Sequence, residues 1–117
     1  MIRKAGWLLI SLAVMSVHAR AGERTPPPWE KPLRVGRYLY LENCSICHEI
    51  NKPKRNKFGP NLFGLFQSEK MPLSRTKPTD ELVAAKIKNG GFIMPAFRDY
   101  LTDDQIGKVI AYMRSKH

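Results

Sequence analysis

The sequence predicts a small all-α domain of three to four helices. Three observations lead there. Apolar residues recur at helical spacing in three stretches, two of them opened by a threonine cap. Strand signals are weak throughout. The chain's only two cysteines fall with a histidine inside five residues, Cys44-Ser45-Ile46-Cys47-His48, in a pattern that asks for one shared object between its side chains.

That pattern, C-x-x-C-H, reads as a site for covalent attachment of haem. Side chains three and four apart share a helical face, so Cys44, Cys47 and His48 can point the same way. Each thiol can form a thioether to a haem vinyl group, and the imidazole can bind iron from one side. Three other readings compete. A redox dithiol would follow a strand in a βαβ pattern, and none surrounds the motif. Zinc wants four ligands, and a second Cys/His pair is missing. A structural disulfide would suffer from the three-residue helical spacing and leaves His48 unexplained.

In chain order, residues 1–21 read as a secretory signal. Arg3 and Lys4 form a positive start, Ala5 to Val17 an apolar run of 13 residues, and Ala19-Arg20-Ala21 an A-x-A cleavage site. The run is short against the ~20 residues of a bilayer span. A retained anchor is the competing reading, and it lacks a stop-transfer pattern. Export agrees with the haem motif, which is completed outside the cytoplasm. Membrane contact beyond this leader is expected to be at most peripheral.

Cleavage would leave 96 of the 117 residues, one small domain. Such a chain buries roughly 60–65% of its unfolded surface, which makes a core of side chains alone marginal. A haem would add a large, rigid apolar body. The full chain carries 20 Lys+Arg against 10 Asp+Glu, and losing Arg3, Lys4 and Arg20 gives a mature charge of +7. A surface this basic favours acidic partners or anionic surfaces.

Residues 22–32 hold Pro26, Pro27, Pro28 and Pro32 around Trp29, and read as an extended segment with the indole as a lid or a docking residue. Leu33 to Asn43 reads as the helix that delivers the motif, with Leu33, Gly36, Leu39, Tyr40 and Asn43 along one face. Gly36 costs about 1 kcal/mol against Ala in a helix, so a close helix approach is expected there.

After the motif, Lys52, Lys54, Arg55 and Lys57 form a basic run that is either a solvated loop or a recognition patch. Aromatic interleaving for stacked bases is absent, which speaks against nucleic acid. Gly59-Pro60-Asn61-Leu62 is a turn signal. Lacking an N–H, Pro60 can only accept, and an acceptor is what the second nitrogen of an iron-bound histidine needs.

Thr79 caps a helix through Lys88, with Leu82, Val83, Ala84, Ala85 and Ile87 as its buried side and Asn89-Gly90-Gly91 as its stop. Pro95 then bars a helix, so Met94 is presented from an extended loop. The last helix opens with a Thr102/Gln105 capping box and a Leu101/Ile106 staple. Ile106, Val109, Ile110 and Met113 mark its apolar face.

Taken together these residues resemble the class I cytochrome c family, the small soluble His/Met-ligated type, in its bacterial monohaem form. The resemblance covers almost all of Leu33 to Ser115. Gly36 and Tyr40 stand eight and four residues before Cys44, like the family's first-helix glycine and aromatic. The Gly59-Pro60-Asn61-Leu62 stretch resembles the loop whose proline carbonyl holds the haem histidine. Met94 before Pro95 resembles the distal methionine, and Val109 and Tyr112 the terminal-helix residues that cross the glycine. The Pro-rich extension and Glu69 to Pro78 have no counterpart.

The resemblance implies a cytochrome c domain over residues 33–117, folded around one covalently bound haem c. Its cofactor site would comprise Cys44, Cys47, His48, Pro60 and Met94, with His48 and Met94 on the iron. Met71 also precedes a proline and is the rival ligand. It follows His48 by 23 residues, against 46 for Met94, which leaves little chain to round the haem edge. With both axial positions filled by protein, an electron carrier is expected and not an enzyme. The expected protein is a periplasmic monomer serving an acidic redox partner. The alternative is a haem-bearing subunit of a larger periplasmic oxidoreductase, a dehydrogenase or sulfur-oxidising complex. A peroxidase-like enzyme with an open sixth site and a haem-free secreted redox protein are further alternatives.

Overall fold

The protein folds around the crossing of its first and last helices. The structure is a computed structural model and describes residues 31–117; the signal segment and the Pro-rich stretch to residue 30, Trp29 included, lie outside the described residues. Among those described there are three α-helices: α1 (Pro32–Asn43), α2 (Asp80–Asn89) and α3 (Asp103–Arg114). One 3-10 turn, Leu65–Gln67, interrupts the long loop region, and no strand is present among the described residues. The expected all-α class is the one found.

Helix α1 begins at Pro32, one residue earlier than expected. Proline suits a first helical turn, where its missing N–H would have had no partner. Gly36, Leu39 and Tyr40 are buried against Ile106, Val109, Ile110, Tyr112 and Met113 of α3. A Cβ built on Gly36 would overlap the Lys108 carbonyl and stand 3.0 Å from Tyr112 Cβ. The close approach expected at Gly36 is therefore real. The nearest atoms beneath it belong to the Lys108 carbonyl and Tyr112. The Tyr40 and Tyr112 rings continue the contact, with centroids 5.6 Å apart and planes at 53°. Leu33, expected on the buried face, is exposed because it lies a turn ahead of this crossing.

Thr79 Oγ1 accepts from the Leu82 N–H (3.2 Å), and Gly90 ends α2 at φ 65°. Only Val83 and Ile87 of this helix are buried, with Ala84 half-buried. Leu82 and Ala85, expected inside, are exposed: a short helix laid against one neighbour buries a narrow i, i+4 stripe. Helix α3 opens with the full capping box. Gln105 N–H donates to Thr102 Oγ1 (3.2 Å), Thr102 N–H donates to Gln105 Oε1 (2.9 Å), and Leu101 and Ile106 are both buried.

Two ion pairs tie α2 to α3. Lys88 reaches Asp103 (2.7 Å), and Arg114 takes Asp80 through Nε and Nη2, both at 2.7 Å. The same guanidinium lies 4.1 Å over the Phe66 ring, which fastens the 3-10 turn to the end of α3.

Candidate functional site

The C-x-x-C-H residues lie just beyond α1, not within it. Cys44 is the C-cap, and the Cys44 and Ser45 N–H groups both donate to the Tyr40 carbonyl (2.8 and 3.0 Å). The chain then makes one further turn, in which Cys47 and His48 N–H groups donate to the Cys44 carbonyl (3.1 and 2.9 Å). That turn keeps the three- and four-residue spacing on one side without continuing the helix. Cys44, Cys47 and His48 all line one apolar cavity of about 440 Å³. The volume lies within the range of about 300–1,000 Å³ that holds small molecules and cofactors.

His48 is held from three directions. Its Nδ1 lies 2.7 Å from the Pro60 carbonyl oxygen. That oxygen can only accept, so Nδ1–H is the donor and Nε2 is the ring nitrogen left to face a metal. Gly59 lies flat against the ring: a Cβ there would come within 2.6 Å of His48 Cε1. Behind the ring, Tyr40 Oη donates to the His48 backbone carbonyl (2.8 Å). Burial first, and then the neighbouring Cys44, Glu49 and Tyr112, push the Tyr40 phenol above its ordinary value, so it stays a donor.

Both cysteines are free thiols. The Cys44 thiol is pushed up to about 11, by burial first and by neighbouring Cys47 second. A redox dithiol needs the opposite shift, so this local chemistry does not suit one.

Met94 lies on the loop after α2 and lines the same cavity. The Gly91 N–H donates to the Met94 carbonyl (2.9 Å) and closes a turn within the loop, and the Phe97 N–H donates to the Ile87 carbonyl (3.0 Å), which ties the loop beyond the methionine to α2. Met71 lines the cavity too, from a small turn closed by its own N–H on the Thr76 carbonyl (2.7 Å). The structure thus brings Cys44, Cys47, His48, Pro60 and Met94 to one cavity, with Met71 also on its wall. Apolar side chains from all three helices, among them Tyr40, Val83, Ile87 and Val109, complete the lining. The donor set suits a haem: two thiols and an imidazole together on one turn, thioethers further along the chain, and apolar walls.

Sequence reasoning missed three supports. Glu49, only 7% exposed, accepts from the Ile50 and Asn51 N–H groups (3.0 and 2.9 Å) and faces Arg55 at 3.7 Å. The Asn51 hydrogen bond leads in holding its carboxyl below the usual range, against the upward push of burial, with help from Ile50, Lys57 and Arg55. Asn61 donates to the Lys52 and Arg55 carbonyls (2.9 and 2.7 Å) and bridges the basic run. Gly59 is the third. A glutamate beside a ligand and an asparagine beside a proline were visible, but nothing in their spacing named their partners.

The comparisons with known proteins agree with this geometry. Residues 31–113 match a family model described as "Cytochrome C oxidase, cbb3-type, subunit III". The chain is 33% identical over 83 residues to cytochrome c6 of Leptolyngbya boryana, covering 70% of this chain and 89% of that one. Against cytochrome c6 of Diacronema lutheri it is 30% identical over 81 residues, covering 69% and 92%. Among solved structures, the c-type cytochrome SorU from Sinorhizobium meliloti superposes with a TM-score of 0.53 at 30% identity. That match covers 73% of this chain and 90% of SorU. An all-α fold, a C-x-x-C-H turn facing an apolar cavity and these relatives converge: the chain belongs to the family of small class I monohaem cytochromes c, electron carriers that hold a covalently bound haem c with its iron.

Proposed function

We propose that this protein is an exported carrier of single electrons in the bacterial periplasm, with haem c attached at Cys44 and Cys47 and iron ligated by His48 and Met94. The observation that carries the reading is convergence: these four residues line one apolar cavity, and His48 Nδ1 is already committed to Pro60. When bound, the haem supplies an iron that alternates between ferric and ferrous states. Cys44 and Cys47 tether it, and the Pro60 carbonyl holds the imidazole in the tautomer that leaves Nε2 for the metal. Met94 would be the second protein ligand of the iron, and with both protein ligands in place no iron site would be left for a substrate, which favours a carrier over an enzyme. The apolar lining excludes water. Cys44→Ala or Cys47→Ala should lower the yield of haem-bearing protein sharply, because no other cysteine can substitute. Haem staining after denaturing electrophoresis measures this, and wild-type staining in both variants would refute the attachment.

The partner proposed for the exposed basic run is an acidic redox protein. The four cations are not equivalent. Arg55 faces Glu49, and Lys57 donates to the Ser45 carbonyl, whereas Lys52 and Lys54 have no side-chain partner among the described residues. Lys52→Glu/Lys54→Glu therefore tests steering without disturbing the loop. Electron-transfer rates to the natural acceptor should drop strongly at low salt. The gap should narrow as the Debye length shrinks from ~30 Å at 0.01 M to ~10 Å at 0.1 M. Equal rates at every salt concentration would leave the run without a role in recognition.

A second reading is favoured by the description of the matching family model, which names an oxidase subunit. Here the same haem domain would serve inside a larger oxidoreductase. Gel filtration of protein from the native host separates the two, since a free carrier elutes as a monomer. Export with cleavage after Ala21 is checked by sequencing the N-terminus of the periplasmic protein, which should begin at Gly22.

A further inference from the structure

We infer that Glu49 is a positioning residue for the axial histidine: its buried carboxylate closes the loop that carries Pro60, and through Pro60 it orients the His48 ring. This rests on His48 being the iron ligand proposed above.

No helix or strand carries the chain from His48 to Pro60, so nothing regular sets where the Pro60 carbonyl sits. Specific hydrogen bonds must do so. The residues flanking His48 hold the two sides of Pro60: the Cys47 carbonyl accepts from Gly59 N–H (2.6 Å), and the Glu49 carbonyl accepts from Leu62 N–H (2.8 Å). The Glu49 side chain then bends the start of the loop back on itself. It accepts from Ile50 and Asn51 N–H groups and faces Arg55 further along. Asn61 closes the far side by donating to the Lys52 and Arg55 carbonyls, while its own Oδ1 accepts from Phe63 N–H (2.8 Å). The contacts run from Glu49 to Arg55 as an ion pair, from the Arg55 carbonyl to Asn61 as a hydrogen bond, and along the chain to Pro60, whose carbonyl lies 2.7 Å from His48 Nδ1.

A carboxylate is expensive to bury, and this one is tolerated because donors surround it. Its removal leaves the Ile50 and Asn51 N–H groups short of an acceptor and Arg55 without its counter-charge. The loop can then relax, and Pro60 with it. The Nδ1–H bond governs how strongly the imidazole donates to iron, so such relaxation reaches the metal. Packing alone predicts no such transmission.

The test uses the haem-bearing protein and compares Glu49→Ala and Glu49→Gln with Ile110→Ala. The last variant cuts the buried face of α3 at a residue that does not line the haem cavity. NMR of the ferrous form follows solvent exchange of the His48 Nδ1 proton, and redox titration gives the midpoint potential. Glu49→Ala should speed exchange roughly tenfold, the change expected when about one hydrogen bond is lost, and should shift the potential. Glu49→Gln retains an acceptor for the backbone donors, so a smaller shift is expected. Ile110→Ala should lower the unfolding temperature and leave both readouts unmoved. If Glu49→Ala fails to accumulate, Glu49→Gln and Arg55→Ala decide, each expected to speed exchange measurably. Wild-type exchange and potential in the recovered Glu49 variants, whatever their stability, would overturn the proposal. Ligation itself is read separately in the ferric wild type: absence of a hyperfine shift on His48 would refute the ligand assignment, whereas a shifted His48 indifferent to Glu49 refutes only the positioning role.

Discussion

Met94→Ala should lose the sulfur-to-iron absorption near the red edge of the visible spectrum essentially completely, and should let added imidazole or cyanide bind the iron. Met71→Ala should leave both properties at wild-type levels. The two methionines share a cavity wall, so proximity alone does not choose between them. Their backbones do. Gly90 holds φ 65°, and a Cβ there would overlap the Met94 carbonyl, so the chain can fold tightly back onto this residue only with glycine. The Gly91 hydrogen bond then fixes the Met94 carbonyl, and Pro95 removes the option of a helix. Met71 belongs to a turn closed within six residues on Thr76, with Arg75 donating back to the Met71 carbonyl (3.3 Å). The hydrogen bonds of that turn close within it, whereas the Phe97 N–H ties the Met94 loop to α2. A ligand that must stay on iron through both oxidation states is better served by the anchored loop. Reversed behaviour of the two variants would make Met71 the ligand.

Gly36→Leu should destabilise the fold by about 1–3 kcal/mol or more, although in helix propensity alone Leu gains nearly 1 kcal/mol over Gly. The obstacle is the Lys108 carbonyl, a backbone atom of a packed helix that has no rotamer to escape into. Gly36→Ala should therefore also destabilise, despite its propensity gain. Gly107 provides the contrast. It sits in α3 with nothing within 4 Å of where a Cβ would stand, so Gly107→Ala should stabilise by about 0.5–1 kcal/mol. Thermal or denaturant unfolding of the three haem-bearing variants measures the differences. For a domain of this size each kcal/mol moves the midpoint by roughly 4–8 °C. A midpoint that rises in Gly36→Leu would refute the crossing.

Several features were legible because they are local. A capping box spans four residues, and its two hydrogen bonds lie within that span, so Thr102 and Gln105 announce the start of α3 without any knowledge of the fold. The C-x-x-C-H spacing works the same way, since one helical turn brings Cys44, Cys47 and His48 to one side whether or not that turn belongs to α1. Pro60 was readable for a different reason: a residue without an N–H has one role available in a hydrogen bond. Which residues of α2 face inward was less readable. Its apolar residues cover most of the helix, and only its packing against α3 and the wall of the cavity selects Val83 and Ile87 over Leu82 and Ala85.

By itself the sequence determined the class of the fold, the type of prosthetic group and the helix boundaries to within a residue or so. Each of these depends on contacts between residues close in the chain, or on what a side chain can never do. Only the tertiary structure decided what lies beneath Gly36, which loop atoms hold Pro60, and that Glu49 is buried. Those are contacts between segments that the chain brings together only by folding. Gly36 and the Lys108 carbonyl are 72 positions apart, and no periodicity links a glycine to the backbone of another helix. Arg114, Asp80 and Phe66 form one clamp from three separate elements, and each alone reads as an ordinary surface or core residue.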